Sequence, residues 1–237
     1  MSKIQIGQLL PHNLTGQNML DTISGNLLFA GGDKKSIAVT SCHDGDGKST
    51  VVIQLAYTLA RDGYQVIIVD ADPSGSRLLD YAETEHDHGN KKNFTDYLNG
   101  ECKLSDIVYT TDVSKLYIIP HTSFISDHSL ATDSKLLSNT IETLSQIYDF
   151  IIIDTPSAGK MIDAAKIANK CDGIIFVLKY KRTKKKDITE VVRQLEKSGT
   201  PILGCVINQV KFDCIVSRKR YRLLRTPIFR RIFQRKK

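Results

Sequence analysis

The chain predicts an α/β fold, doubly wound around a mostly parallel sheet with a P-loop nucleotide site, and three observations carry that prediction. Short apolar runs alternate with amphipathic stretches along residues 37–208, and runs apolar on both faces are what a buried parallel sheet requires. The first run, within Ser36–Thr50 (SIAVTSCHDGDGKST), passes through a turn of small and polar residues into Gly47-Lys48-Ser49-Thr50. In that arrangement backbone N–H groups and a helix N-terminus cradle phosphates. Later runs end in Asp70, Asp154 and Asn208, and such sheets bind ligands beyond the carboxyl ends of their strands.

In chain order, residues 1–15 read as an irregular arm. Gln17–Ala30 carries Met19, Leu20, Ile23, Leu27 and Leu28 at near-helical spacing and predicts a helix. Ile37–Thr40 is the first strand. Ser49–Asp62 predicts a helix with Val52, Leu55, Ala56, Leu59 and Ala60 on one side and Gly63 as its stop. Gln65–Val69 is a buried strand that delivers Asp70-Ala71-Asp72. Between Pro73 and Ser114 the pattern weakens to a polar loop at His86–Asn93, a helical turn at Phe94–Gly100 and a short element at Leu104–Ile107. Leu116–Ile119 is a strand closed by Pro120. Asp133–Tyr148 is a helix, and Phe150–Ile153 is a strand ending in Asp154. A helix around Asp163–Asn169, a strand at Gly173–Leu178, a helix at Lys184–Ser198 and a strand at Pro201–Ile207 complete the alternation.

Composition narrows the classes. The length of 237 residues suits one domain with a full core. No apolar run approaches the roughly 18–20 residues that span a bilayer, and the N-terminus lacks a signal-peptide pattern. The expectation is a cytoplasmic protein. Cys42, Cys102, Cys171, Cys205 and Cys214 are scattered without a CxxC pair, so they read as reduced, mostly buried thiols rather than a disulfide or zinc framework. His86, Asp87 and His88 read as solvated loop residues rather than a metal site. The net charge of +7 is uneven. Ten of the 33 Lys/Arg, and none of the 26 Asp/Glu, fall within Ser217–Lys237, so residues 1–216 are mildly acidic and the remainder is a basic tail.

A nucleoside triphosphate with Mg²⁺ needs donors for its phosphates and hard oxygens for the metal. Asp44, Gly45, Asp46, Gly47, Lys48, Ser49 and Thr50 form the phosphate loop, with Lys48 reaching the outer phosphates and Ser49 and Asp154 as the metal pair. Asp70 and Asp72 add two carboxylates near the γ-phosphate. One can orient or deprotonate an attacking hydroxyl while the other helps hold the hydrated metal. The structural alternatives are a strand-end cap for Asp154 and a helix cap ahead of Pro73 for Asp72. One position departs from the Walker pattern, which has glycine where this chain has Cys42.

With these motifs assembled, VTSCHDGDGKST, VIIVDADP and FIIIDTPS resemble the Walker A, A′ and B motifs of the bacterial tyrosine kinases (BY-kinases) of capsule and exopolysaccharide synthesis, within the MinD/ParA-like P-loop class. The resemblance runs from about Gln17 to Lys211. His43 occupies the position where MinD/ParA-type proteins carry a lysine, which favours the kinase branch. The resemblance implies transfer of the ATP γ-phosphate to tyrosine hydroxyls. Lys48 would stabilise developing charge, Asp70 would act as base, Ser49, Asp72 and Asp154 would hold Mg²⁺, and Asn208 would meet the adenine. It also implies a membrane-spanning polysaccharide chain-length regulator as activating partner.

Three features depart from that family. Asn18, Asp21 and Ser24 replace an ExxRxxR motif used in ring assembly, Tyr221 is alone where the family has a tyrosine cluster, and Pro73-Ser74-Gly75-Ser76 precede Arg77. The tail SRKRYRLLRTPIFRRIFQRKK mixes cations with apolar residues, which suits an anionic membrane or partner surface better than nucleic acid; the structural alternative is a solvated tail that docks its apolar residues on the body. The expectation is an ATP- and Mg²⁺-dependent tyrosine kinase, peripheral at the inner face of the cell membrane, with homo-oligomerisation open. The alternatives are a MinD/ParA-like ATPase switch and a nucleotide-binding regulatory pseudokinase of the same machinery.

Overall fold

The computed structural model describes residues 3–6, 14–30, 33–72, 78, 92–121, 134–159 and 162–210. Its elements are β1 (Lys3–Ile4), α1 (Leu14–Ala30), β2 (Ser36–Ser41), α2 (Lys48–Arg61), β3 (Val66–Asp70), α3 (Phe94–Leu98), a 3₁₀ turn (Leu104–Asp106), β4 (Tyr109–Thr111), β5 (Leu116–Ile119), α4 (Ser134–Ser145), β6 (Phe150–Asp154), α5 (Ile162–Ala168), β7 (Gly173–Lys179), α6 (Lys185–Lys197) and β8 (Ile202–Asn208). The basic tail, the predicted loop with His86 and His88, Cys214 and the Pro73–Arg77 segment lie outside the described residues.

One eight-stranded sheet runs in the order β1-β4-β5-β3-β6-β2-β7-β8, and every neighbouring pair is parallel except β4 with β5. The alternation of side chains along each strand divides the core in two. Ile37, Val39, Ile68, Ile152 and Val177 pack with α1 and α2 on one face. Ala38, Ile67, Ile153 and Phe176 pack with α3, α4, α5 and α6 on the other. Helices on both faces explain why the strands had to be apolar throughout.

The predicted helices and strands from Ile37 onward recur with small shifts at their ends. Helix α2 buries the expected Val52, Leu55, Ala56, Leu59 and Ala60. It stops in a Schellman arrangement, with Gly63 at φ 103° and the Gly63 and Tyr64 N–H groups donating to the Ala60 and Leu59 carbonyls. The N-terminal expectation needs correction. The segment read as an irregular arm contributes an edge strand, in which Lys3 and Ile4 pair with Thr110 and Thr111 and the Ile6 N–H donates to Asp112 Oδ1 at 2.8 Å. Two paired residues are too few for periodicity to register, although the buried Ile4 and Ile6 alternate as a strand requires. Likewise β4 emerged from the weakly patterned region as one arm of a hairpin with β5. Among the described residues no helix is long and apolar enough to cross a membrane.

Candidate active site

The phosphate loop follows β2, a central strand with β6 on one side and β7 on the other. Gly45 (φ 74°) and Gly47 (φ 95°) both take left-handed backbone, which lets successive N–H groups converge. Gly47 is the N-cap of α2 and offers no side-chain cap, leaving the first N–H groups of the helix available to an anion. Cys42 explains the departure from the Walker pattern. It is fully buried and is absent from the positive-φ residues, so this position does not require glycine. Burial, with Asp46 and Asp187 nearby, pushes its thiol up to about 12, and it serves as a neutral packing group.

Side-chain period places the carboxylates. Asp70 lies two residues beyond Ile68, and Asp154 two beyond Ile152, so both fall on the face that carries α2. The two are register partners across β3 and β6 and both are buried. The Ala71 N–H donates to the Asp154 carbonyl at 2.9 Å, and the Asp72 N–H donates to Asp70 Oδ1 at 3.2 Å. That turn brings Asp72 Oδ2 to 3.4 Å from Lys48 Nζ, an ion pair with both side chains largely buried. Desolvation raises Asp154 to about 7, while Lys48 and a hydrogen bond from Ser49 oppose the rise and Asp72 adds to it. The structure therefore brings together Lys48, Ser49, Asp70, Asp72 and Asp154.

The residues present fit a magnesium ion. Asp154 Oδ1 is buried and accepts no hydrogen bond, and the Ser49 hydroxyl bonds to the same carboxylate. These are hard oxygens, the donors Mg²⁺ prefers. Among the described residues no three His, Cys, Asp or Glu side chains form a metal cluster. Magnesium at a nucleotide needs none, because phosphates and waters complete its shell.

Asn208 stands apart from the carboxylates, at the end of β8. Its Nδ2 donates to the Asp46 carbonyl at 3.0 Å, and its Oδ1 accepts from the Gln209 N–H at 2.8 Å. A Cβ on Gly47 would lie 1.9 Å from that Nδ2. Asn208 thus braces the loop.

Other supports have no local signature in the sequence. The Ser157 hydroxyl donates to Asp44 Oδ1 at 2.7 Å, and the His43 N–H donates to Asp46 Oδ2 at 3.0 Å. His43 Nε2 lies 3.2 Å from Asp187 Oδ2, tying the loop to α6. Gly159 lies so close to the Cys42 carbonyl that a Cβ there would stand 2.2 Å from it. Apart from the local His43–Asp46 bond, these partners are brought to the loop by crossovers, so no spacing rule could pair them.

The match to known proteins covers the same region. The AAA domain family model matches residues 34–203. Tyrosine-protein kinase CpsD of Streptococcus agalactiae serotype III (strain NEM316) is 35% identical over 194 residues, 82% of each chain. The chain belongs to the CpsD-like bacterial tyrosine kinases. This family lies within the MinD/ParA-like P-loop class, and solved structures show the shared fold. The chimerical protein CapA2B2 superposes with a TM-score of 0.76 at 24% identity, covering 88% of this chain and 93% of that one. The septum site-determining protein MinD of Pyrococcus horikoshii OT3, complexed with Mg-ADP, superposes with a TM-score of 0.60 at 30% identity, covering 73% and 69%.

Proposed function

We propose that the chain is an ATP- and Mg²⁺-dependent protein-tyrosine kinase acting in capsular or exopolysaccharide synthesis. The observation that carries the reading is a carboxylate beyond those that would hold a metal: Asp70 stands in register beside Asp154 and accepts from the N–H of Asp72, the partner of Lys48. A nucleotide-binding loop alone needs one metal carboxylate and a lysine.

In this reading the N–H groups of residues 44–50, among them the N-terminus of α2, bind the phosphates, and Lys48 turns from Asp72 toward the γ-phosphate. Asn208 would meet the adenine from its place beside the loop. Ser49, Asp72 and Asp154 would hold Mg²⁺, which would supply positive charge to offset that of the phosphates. Asp70 accepts the proton of the tyrosine hydroxyl as the phenolic oxygen forms its bond to the γ-phosphorus and the bond to the ADP oxygen breaks. Exclusion of water by the buried carboxylates strengthens each of these interactions.

The activating partner proposed from the family resemblance is the cytoplasmic end of a membrane-spanning chain-length regulator, which would hold the kinase at the inner face of the membrane. The basic tail is proposed to add an anionic-surface contact. A second reading, an ATPase switch, is favoured by the MinD-like fold. Incubation with γ-labelled ATP, Mg²⁺ and the regulator's cytoplasmic end separates the two. Label on tyrosine that is lost in Lys48→Met supports the kinase, and free phosphate without labelled tyrosine supports the switch.

A further inference from the structure

Nothing in the nucleotide chemistry accounts for the segment that joins β7 to α6. Lys179, Lys181, Arg182, Lys184, Lys185 and Lys186 place six cations in eight residues. All but the half-buried Lys179 are exposed, and none forms an ion pair among the described residues. The nearest acid in sequence, Asp187, faces His43.

The segment is built against local preference. Lys184 is the N-cap of α6 without a side-chain cap, and Lys185 and Lys186 open its first turn, where the helix dipole disfavours positive charge. Lys181 holds φ 60° in a turn where the Arg182 N–H donates to the Lys179 carbonyl and the Tyr180 N–H to the Asn208 carbonyl. A solvated connection has no need of either cost.

Position gives the cations a purpose. They stand at the carboxyl edge of the sheet, beside the phosphate loop: a Cβ on Gly45 would lie 3.4 Å from Arg182 Nη1, and His43–Asp187 joins α6 to the same loop. We infer that Lys179–Lys186 is a docking surface for an acidic polypeptide segment that presents the acceptor tyrosine to the phosphate loop. This rests on the kinase reading. A chain lying along Lys184–Lys186 and past Arg182 leads to the phosphate loop, which Arg182 adjoins at Gly45, whereas a membrane laid on the same cations would lie against that loop.

The test compares wild type with the charge reversal Lys184→Glu, Lys185→Glu, Lys186→Glu in the full chain. Acidic residues suit a helix start, so this variant is expected to fold. Two readouts are used: binding of a labelled Glu/Tyr copolymer in the presence of Mg-ADP, and phosphorylation of that copolymer and of a neutral, Ser/Gly-flanked tyrosine peptide. The variant is expected to bind the copolymer about tenfold more weakly and to show about a tenfold higher KM for it, with the KM for ATP and the rate on the neutral peptide within about twofold of wild type. Wild-type binding to the copolymer should weaken as salt is raised.

Equal copolymer binding by wild type and variant overturns the surface. So does loss of binding confined to phosphatidylglycerol vesicles, which would make it a membrane face. Charge-dependent copolymer binding without phosphorylation of either substrate supports the docking surface and counts against the kinase reading alone.

Discussion

Asp70 and Asp154 stand side by side at the carboxyl ends of adjacent parallel strands, in register and each 1% exposed. Two carboxylates that close, out of water, repel unless a cation or a proton intervenes. Lys48, paired with Asp72, supplies part of that charge, and loss of water around the buried Asp154 carboxyl, with Asp72 adding to it and Lys48 and Ser49 opposing it, raises Asp154 to about 7. The pair is a cost to the fold that a bound metal nucleotide would offset.

That cost has a pH signature. The Asp154 carboxyl is raised in the folded protein from 3.8 to about 7, so the folded state holds a proton the unfolded state has released. Stability of the nucleotide-free protein is expected to fall as pH rises from about 4 to about 7. Asp154→Asn should flatten that slope and melt at a higher temperature than wild type at pH 8, with a smaller difference at pH 5. Thermal denaturation at both pH values checks it, and an equal offset at each would assign the titration elsewhere.

Asp70→Asn removes the proposed base while keeping its shape. Phosphotyrosine formation is expected to drop about 10²–10⁴-fold, with nucleotide binding within a few-fold of wild type. A parallel loss of nucleotide affinity would make Asp70 a binding group instead.

Cys42→Gly restores the Walker glycine and is expected to gain nothing. The side chain is buried and its backbone is not left-handed, so the change removes packing and adds backbone freedom, costing about 1–2 kcal/mol. Denaturant unfolding and nucleotide titration together test this; tighter binding would show that the cysteine restrains the loop.

Gly47→Ala combines a left-handed φ with a collision against Asn208 Nδ2. A loss of about 1–3 kcal/mol is expected. In a double-mutant cycle, Asn208→Ala should recover the collision but not the backbone strain, so partial rescue is the expected result.

Gly159→Ala presses on the Cys42 carbonyl, which is backbone and cannot rotate away. It should weaken nucleotide binding although residue 159 lies over a hundred positions from the loop in sequence, and isothermal titration would detect it.

The sequence alone determined the alternation of strands and helices, the loop around Lys48 and the acidic strand ends, because each is written in local periodicity or in a contiguous motif. Where the pattern was two or three residues long, as in Lys3–Ile4 and Tyr109–Thr111, it carried no signal, and only pairing with a neighbouring strand made those residues a sheet edge. The loop that opens at Ser36 was legible as a phosphate cradle. Its braces were not: Asn208, Ser157, Gly159 and Asp187 reach it from three later segments. Strand order decides such contacts. Inserting β6 between β2 and β3 puts Asp154 beside both the loop and Asp70, and that neighbourhood, which sets the burial and charge of every carboxylate in the site, exists only once the chain has crossed over the sheet.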